Sequence, residues 1–140
     1  VFSPPTLALS CNLKHWTAQN ILRNKEFVVN VPGAELAEVV WRCSDLPHPR
    51  PVEATGLTPI PALKVKPPRI EECKAHLECI EDQHLEYGDE IIFLARIVAA
   101  SIDREAVEAR DPCAYLRLFM FLEGGSYGVV ERGQRLGNRE

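Results

Sequence analysis

The stretch that decides the fold of this chain is Ile91-Ile92-Phe93-Leu94-Ala95-Arg96-Ile97-Val98-Ala99-Ala100-Ser101-Ile102. It is apolar on nearly both faces and rich in β-branched residues, which is typical of a strand that is buried centrally or at an interface. Residues 77–87 alternate imperfectly between apolar and polar types, and Tyr87-Gly88-Asp89 follows them as a turn signal. The two segments together predict a β-hairpin.

Shorter elements are predicted on both sides of this hairpin. They are a strand at 6–11, a helix that begins with Thr17 as N-cap and ends at Asn24, a strand at 26–31, a helix at 34–41, an apolar segment at 115–122, a short strand at 126–130 and a loose tail at 131–140. Several strands with only two short helices predict a mostly antiparallel β-barrel with helices covering one end. We expect residues 1–140 to form a single domain of this kind.

Residues 44–69 differ in character from the rest, since they hold seven of the eleven prolines. Proline fixes its own φ and biases the residue before it away from helix, so this segment is predicted to be an extended connector or loop. Connections of this length are usually functional or mobile.

Composition places the chain among soluble globular proteins. The net charge of −4 over 140 residues argues against a nucleic-acid binder. No apolar run approaches the roughly 20 residues that span a bilayer, and no secretory signal opens the sequence. An odd number of cysteines, five in all, favours reduced thiols, and we therefore expect a cytoplasmic protein without membrane contact.

Charge is unevenly distributed along the chain. Residues 78–108 contain nine acidic and two basic residues, a net of −7, which leaves +3 for the remainder. We interpret the acidic block as a solvated face of strands and loops. The mildly basic remainder is where an anionic ligand is better accommodated.

The segment from Cys11 to Thr17, which joins the first strand to the first helix, suits a phosphate group. Unpaired N–H groups and the positive end of the helix dipole are expected at Thr17. Lys14 adds a full charge, His15 adds a donor, and Trp16 offers a flat apolar surface against which a ring can pack. An ordinary capped helix with a surface lysine is the alternative interpretation of the same pattern.

A zinc site, a serine nucleophile and a P-loop are less well supported by the sequence. Cys73, His76 and Cys79 offer zinc-ligand types at intervals of three, but in a strand His76 points away from the face that the two thiols share. The sequence also holds no nucleophile elbow around a serine and no phosphate-binding P-loop.

An ordered series of motifs extends over residues 4–130. It consists of Pro4-Pro5, Thr17-x-x-Asn20-Ile21, Glu26-Phe27-Val28-Val29-Asn30-Val31-Pro32, Gly56-Leu57-Thr58-Pro59, Pro68-Arg69-Ile70-x-Glu72-Cys73, Leu77-Glu78-Cys79, Gly88-Asp89-x-Ile91-Ile92-Phe93, Arg96-Ile97-Val98, Tyr115-Leu116 and Tyr127-Gly128. The series resembles the flavin reductase-like family with its FMN-binding split barrel, and most of all the flavoredoxin-type branch.

The resemblance implies an FMN-binding, homodimeric flavoprotein. It implies either an NADH- or NADPH-dependent flavin oxidoreductase that supplies a monooxygenase, or a carrier that passes electrons to another acceptor. In that picture Thr17 and nearby N–H groups bind the flavin phosphate, and Lys14 or His15 balances its charge. Trp16 packs against a ring, and backbone groups near Cys11 and Asn12 face the flavin.

Two departures from the family pattern limit what the resemblance implies for this chain. Residues 43–51 lack the glycines of the family's cofactor-enclosing segment, and Ser44 and Arg50 are the residues expected to contact the cofactor in its place. Strands that relatives have before the Pro-Pro position are missing here, which predicts a barrel that lacks its N-terminal strands. A non-catalytic split-barrel module for binding or dimerisation, which has lost flavin, is therefore the alternative function.

Overall fold

The computed structural model describes residues 3–49, 52–109 and 111–130, with the backbone alone for residues 112 and 113. Arg50 and the tail at 131–140 lie outside the described residues. The strands are β1 (Thr6–Asn12), β2 (Glu26–Val31), β3 (Pro59–Ile60), β4 (Arg69–Ile70), β5 (Ala75–Tyr87), β6 (Glu90–Ile102), β7 (Phe119–Phe121) and β8 (Tyr127–Val129). The helices are α1 (Trp16–Asn24), α2 (Ala37–Cys43), α3 (Arg104–Glu108) and α4 (Pro112–Leu116), with 3₁₀ turns at Ala34–Leu36, Val52–Thr55 and Glu123–Gly125.

Four strands form a curled antiparallel half-barrel in the order β1-β6-β5-β2. The predicted hairpin is confirmed as β5 and β6, whose register runs from Tyr87 opposite Glu90 to Ala75 opposite Ile102. Strand β6 is central because it pairs with β1 on its other edge. The mostly-β class predicted from the sequence is confirmed.

Strand β6 alternates strictly in its first half. Ile91, Phe93 and Ala95 are completely buried, whereas Ile92 and Leu94 are 39% and 42% exposed on the opposite face. Helix α1 covers the inner face, and its Ala18 and Ile21 belong to the same buried cluster as Phe93. The apolar residues of the outer face remain uncovered within the described residues.

Strand β5 departs from the predicted alternation because it contains two register shifts, one between Glu78 and Cys79 and one between Glu81 and Gln83. A bulge lets two successive side chains face the same way, and Glu78 and Cys79 are both buried. The interpretation of the acidic block as a solvated face is therefore wrong at Glu78, which is 1% exposed. It is also wrong at Glu81, whose side chain is 5% exposed and contacts Lys25 at 3.0 Å.

The described part of the proline-rich connector consists mainly of turns, bends and irregular loop, and it also contains the Val52–Thr55 turn and β3, which pairs with β4. Its residues 61–68, here called the strap, are tied to β2 and β4 by hydrogen bonds. The N–H of Lys66 donates to Glu26 Oε2 at 2.9 Å, and Arg69 Nε donates to the Pro61 carbonyl at 3.0 Å. The strap thereby forms a wall beside β2.

The helix predicted at 34–41 is divided between the 3₁₀ turn Ala34–Leu36 and α2. Helix α1, with nine residues, is the longest helix of the described residues. None of the helices in the described ranges is long and apolar enough to cross a membrane.

Candidate functional site

The loop between β1 and α1 is a tight, internally bonded turn. Asn12 Oδ1 accepts the Lys14 N–H at 3.0 Å, and the Asn12 carbonyl accepts the His15 N–H at 3.0 Å. The Leu13 N–H donates to the Asp89 carbonyl at 2.8 Å, which fixes the loop to the β5–β6 turn. Asn12 thus shapes the loop through its own hydrogen bonds.

The N-cap of helix α1 lies two residues earlier than predicted. His15 occupies the N-cap position with φ −70° and ψ 143°, and its carbonyl accepts the Gln19 N–H at 3.1 Å. The prediction of Thr17 as N-cap is therefore wrong, and Thr17 lies inside the first turn with no side-chain cap on the helix. Within the described residues, the N–H groups of Trp16, Thr17 and Ala18 have no acceptor, as expected of a helix start.

A cleft of about 460 Å³ opens at this helix start and is here called the anion cleft. It brings together residues from the β1–α1 loop and from the end of α2. Its lining residues are Lys14, His15, Trp16, Thr17, Cys43, Ser44 and His48. None of these described lining residues is acidic, so Lys14 and the helix dipole face the cleft without an opposing carboxylate.

One wall of the anion cleft is aromatic. The rings of Trp16 and His48 stack with centroids 6.2 Å apart and planes inclined by 28°. Trp16 is 42% exposed, so a large part of this side chain remains accessible to solvent. Sequence reasoning missed His48, and its position within the proline-rich segment 44–69 was the only available signal.

The remaining predicted site residues are placed differently. The Cys11 side chain packs against the buried core rather than into the cleft; burial, and then the charge of Glu90, raises the pKa of its thiol. Ser44 does line the cleft, but its hydroxyl donates to the Trp41 carbonyl at 2.8 Å. Arg50, as stated, lies outside the described residues.

The residues of the zinc hypothesis are held by other contacts. His76 Nε2 lies 2.9 Å from the Ile70 carbonyl, and His76 Nδ1 lies 3.1 Å from Ser101 Oγ. Cys73 and Cys79 are buried, and burial raises the pKa of each thiol to about 11. In the described part of the chain, no group of three or more His, Cys, Asp or Glu residues is arranged to hold a metal ion.

A second cavity, which sequence reasoning did not anticipate, has a volume of about 780 Å³ and lies between α1, β2 and the strap. It shares Thr17 with the anion cleft. A third cavity of about 420 Å³ is lined by Trp16, Asn20, Arg23, His48 and Pro49, and so shares residues with each of the other two.

Solved structures with the same fold include two redox proteins. One is nitrilotriacetate monooxygenase component B from Bacillus cereus, with a TM-score of 0.86 and 20% identity over 96% of this chain and 73% of that one. The other is flavoredoxin from Methanosarcina acetivorans, with a TM-score of 0.83 and 22% identity over 99% of this chain and 74% of that one. These similarities confirm the predicted split-barrel fold.

Comparison of sequences extends the relationship from fold to family. An uncharacterised protein of Pyrococcus abyssi is 32% identical over 111 residues, which are 79% of this chain and 64% of that protein. The chain spans about half to two thirds of the length of the first curated relatives that it matches. The family model described as "Flavin reductase like domain" matches residues 1–121. The chain therefore belongs to the flavin reductase-like domain family.

Proposed function

We propose that this chain binds FMN in the anion cleft and acts as an NAD(P)H:flavin oxidoreductase or a flavoredoxin-like electron carrier. The observation that carries the proposal is the cleft itself. It combines the free N–H groups of the α1 start, the ammonium group of Lys14 and an exposed indole, and none of the described residues that line it is acidic. This donor set fits a ligand with a phosphate at one end and a flat ring system at the other.

The phosphate end of such a ligand is held by groups of the first α1 turn. The N–H groups of Trp16 and Thr17 can donate to phosphate oxygens, and the Thr17 hydroxyl is free of any capping bond. Lys14 neutralises part of the charge at the turn that Asn12 fixes. The Ser44 hydroxyl already donates its proton to the Trp41 carbonyl, so in this rotamer it can only accept a hydrogen bond from a ligand.

The ring end of the ligand is served by the aromatic wall. The exposed part of the Trp16 indole can pack against a flat ring, and the stacked His48 imidazole supports the indole. When a flavin is bound, the chemistry that it supplies is two-electron transfer between a nicotinamide and an acceptor. The protein's own contribution is to bind, to orient the ring and to exclude water from it.

Two kinds of partner follow from the proposal. The similarity to a monooxygenase component supports an oxygenase as the recipient of reduced flavin or of electrons. The apolar outer face of β6, with Ile92 and Leu94, supports a homodimer. A cytoplasmic location, where nicotinamide nucleotides and reduced thiols occur together, agrees with both.

The first test is the absorption spectrum of the purified protein, followed by titration with FMN and with riboflavin. We expect flavin absorbance or saturable FMN binding, and weaker binding of riboflavin because it lacks the phosphate. NADH or NADPH oxidation that depends on added FMN would distinguish a reductase from a carrier. Absence of FMN binding would refute the proposal and leave the non-catalytic module as the function.

A further inference from the structure

The second cavity carries two basic side chains. Arg23 reaches it from the last turn of α1, and Lys66 reaches it from the strap. Among the described residues neither of these cations forms a salt bridge. Glu26 is the acidic residue of the lining, and its Oε2 accepts the backbone N–H of Lys66 at 2.9 Å. The charge balance of the lining is therefore positive, which favours an anion.

The rest of the lining suits a nucleoside. Asn20 and Asn24 are four residues apart on α1, so their amide groups lie on one side of the helix. No described residue forms a hydrogen bond with either side-chain amide, and both are exposed. Phe27 is buried, and Pro67 and Pro68 add further apolar surface. Amides that can bond a sugar or base, beside apolar walls and two cations, match the parts of an adenosine phosphate.

The third cavity shares lining residues of α1 with both the anion cleft and the second cavity. Trp16 and His48 line both the anion cleft and the third cavity, and Asn20 and Arg23 line both the third and the second cavity. Thr17 and Arg23 are six residues apart, about 9 Å along the axis at 1.5 Å per residue. An extended dinucleotide can therefore reach from the aromatic wall to Arg23.

We infer that the second cavity binds the adenosine-phosphate half of the pyridine nucleotide, while its nicotinamide reaches the anion cleft. This inference rests on the proposed function, because the nucleotide is there the reductant. Arg23 and Lys66 hold phosphate groups, and Asn20 and Asn24 bond the adenosine. Arg23 and Lys66, which do not line the anion cleft, thus determine affinity for the reductant without contributing to flavin binding.

The test uses ADP as a redox-inactive probe on the FMN-loaded protein, with affinity measured by calorimetry at low salt. We expect Arg23→Ala and Lys66→Ala each to weaken ADP binding by about three- to tenfold, the size of one charge-assisted hydrogen bond at an open site. The same variants should raise KM for the nicotinamide nucleotide by a similar factor, with kcat and the FMN Kd unchanged.

The matched controls are Lys64→Ala and Arg104→Ala. Lys64 is an exposed lysine two residues away on the same strap, and Arg104 is exposed at the start of α3; neither lines the second cavity. The inference is overturned if ADP fails to bind protein that binds FMN, or if the controls weaken ADP binding as much as the cavity variants. Failure to bind FMN at all would instead refute the proposed function.

Discussion

Glu78 Oε2 accepts the backbone N–H of Lys64 at 2.7 Å, which joins a buried carboxylate of β5 to the exposed strap. Its Oε1 accepts the neighbouring N–H of Leu63 at 2.8 Å, and Arg69 Nε lies 4.0 Å away. The side chain is 1% exposed. This carboxylate therefore satisfies two N–H groups of an irregular segment that has no ladder partner for them.

We expect Glu78→Gln to lower the free energy of unfolding by about 1–3 kcal/mol. An amide can accept through its oxygen, but its NH₂ group faces the other backbone N–H and leaves a buried donor without a partner. Denaturant unfolding measures the change. Glu71→Gln, at an exposed position near the strap, is the matched control and should stay within about 0.5 kcal/mol of the wild type. Equal losses in both variants would contradict this role for Glu78.

Because of Glu78, we also expect the folded protein to lose stability at acidic pH. Burial by itself raises the pKa of Glu78, but the N–H groups of Leu63 and Lys64 and the charge of Arg69 outweigh it, and the pKa is lowered from 4.5. A carboxyl with a lowered folded-state pKa stabilises the fold above its unfolded value, and this stabilisation is lost as pH falls through the folded value. Unfolding measured from pH 7 to pH 3 should therefore show a shallower decline below about pH 4.5 in Glu78→Gln than in the wild type. An unchanged slope would oppose this assignment.

Lys14 tests the phosphate end of the anion cleft. Lys14→Ala should weaken FMN binding by about three- to tenfold at low salt, because one charge-assisted hydrogen bond is lost. Riboflavin, which has no phosphate, should bind the variant and the wild type equally. The measurement is a fluorescence titration with both ligands, and Lys64→Ala is the charge-matched control. A parallel loss for riboflavin would show that Lys14 supports the loop rather than the phosphate.

The cysteines provide an independent probe of the cleft. Cys73 and Cys79 are buried with pKa values raised to about 11, so at pH 8 their thiols stay protonated and react slowly. Cys43 is half-buried and lines the anion cleft. Iodoacetamide followed by peptide mass spectrometry should therefore label Cys43 before Cys73 and Cys79, and FMN should slow that labelling. Rapid labelling of Cys79 in folded protein, or no effect of FMN on Cys43, would contradict the site, and labelling in denaturant serves as the control.

The sequence predicted the parts of this protein that depend on local periodicity. The β5–β6 hairpin, β1 and β2 follow from short apolar, β-branched runs and turn signals, and these need no information about distant contacts. The loop Lys14–Thr17 was also predictable, because a strand followed by a helix start presents free N–H groups wherever it occurs. The N-cap position differed by two residues because the bonds of Asn12 to Lys14 and His15 end the turn earlier than the Thr17 side chain suggested.

What the sequence could not predict depends on long-range packing. Glu78 lies within an acidic run, and only the bulge in β5 together with the strap's N–H groups makes its burial favourable. The second cavity likewise requires α1 and the strap, whose lining residues Asn24 and Lys66 are 42 positions apart in sequence (66 − 24), to lie on the same side of β2. His48 reaches Trp16 only through the path of the proline-rich segment. Neither spacing nor residue type signals such contacts.

Phe93 and Ile92 are adjacent on β6 and lie on opposite faces of the sheet. Phe93 is completely buried, so Phe93→Ala should lower the free energy of unfolding by about 3–5 kcal/mol through lost transfer energy and a cavity.

Ile92 is 39% exposed on the outer face, which the proposed homodimer would cover. Ile92→Lys should therefore leave the fold intact, as judged by circular dichroism, but convert a dimer into a monomer in light scattering at micromolar concentration. Lys places a charge in an apolar interface, where it costs far more than at a solvated surface. A wild type that is already monomeric, or an Ile92→Lys variant that remains dimeric, would exclude this face as the dimer contact.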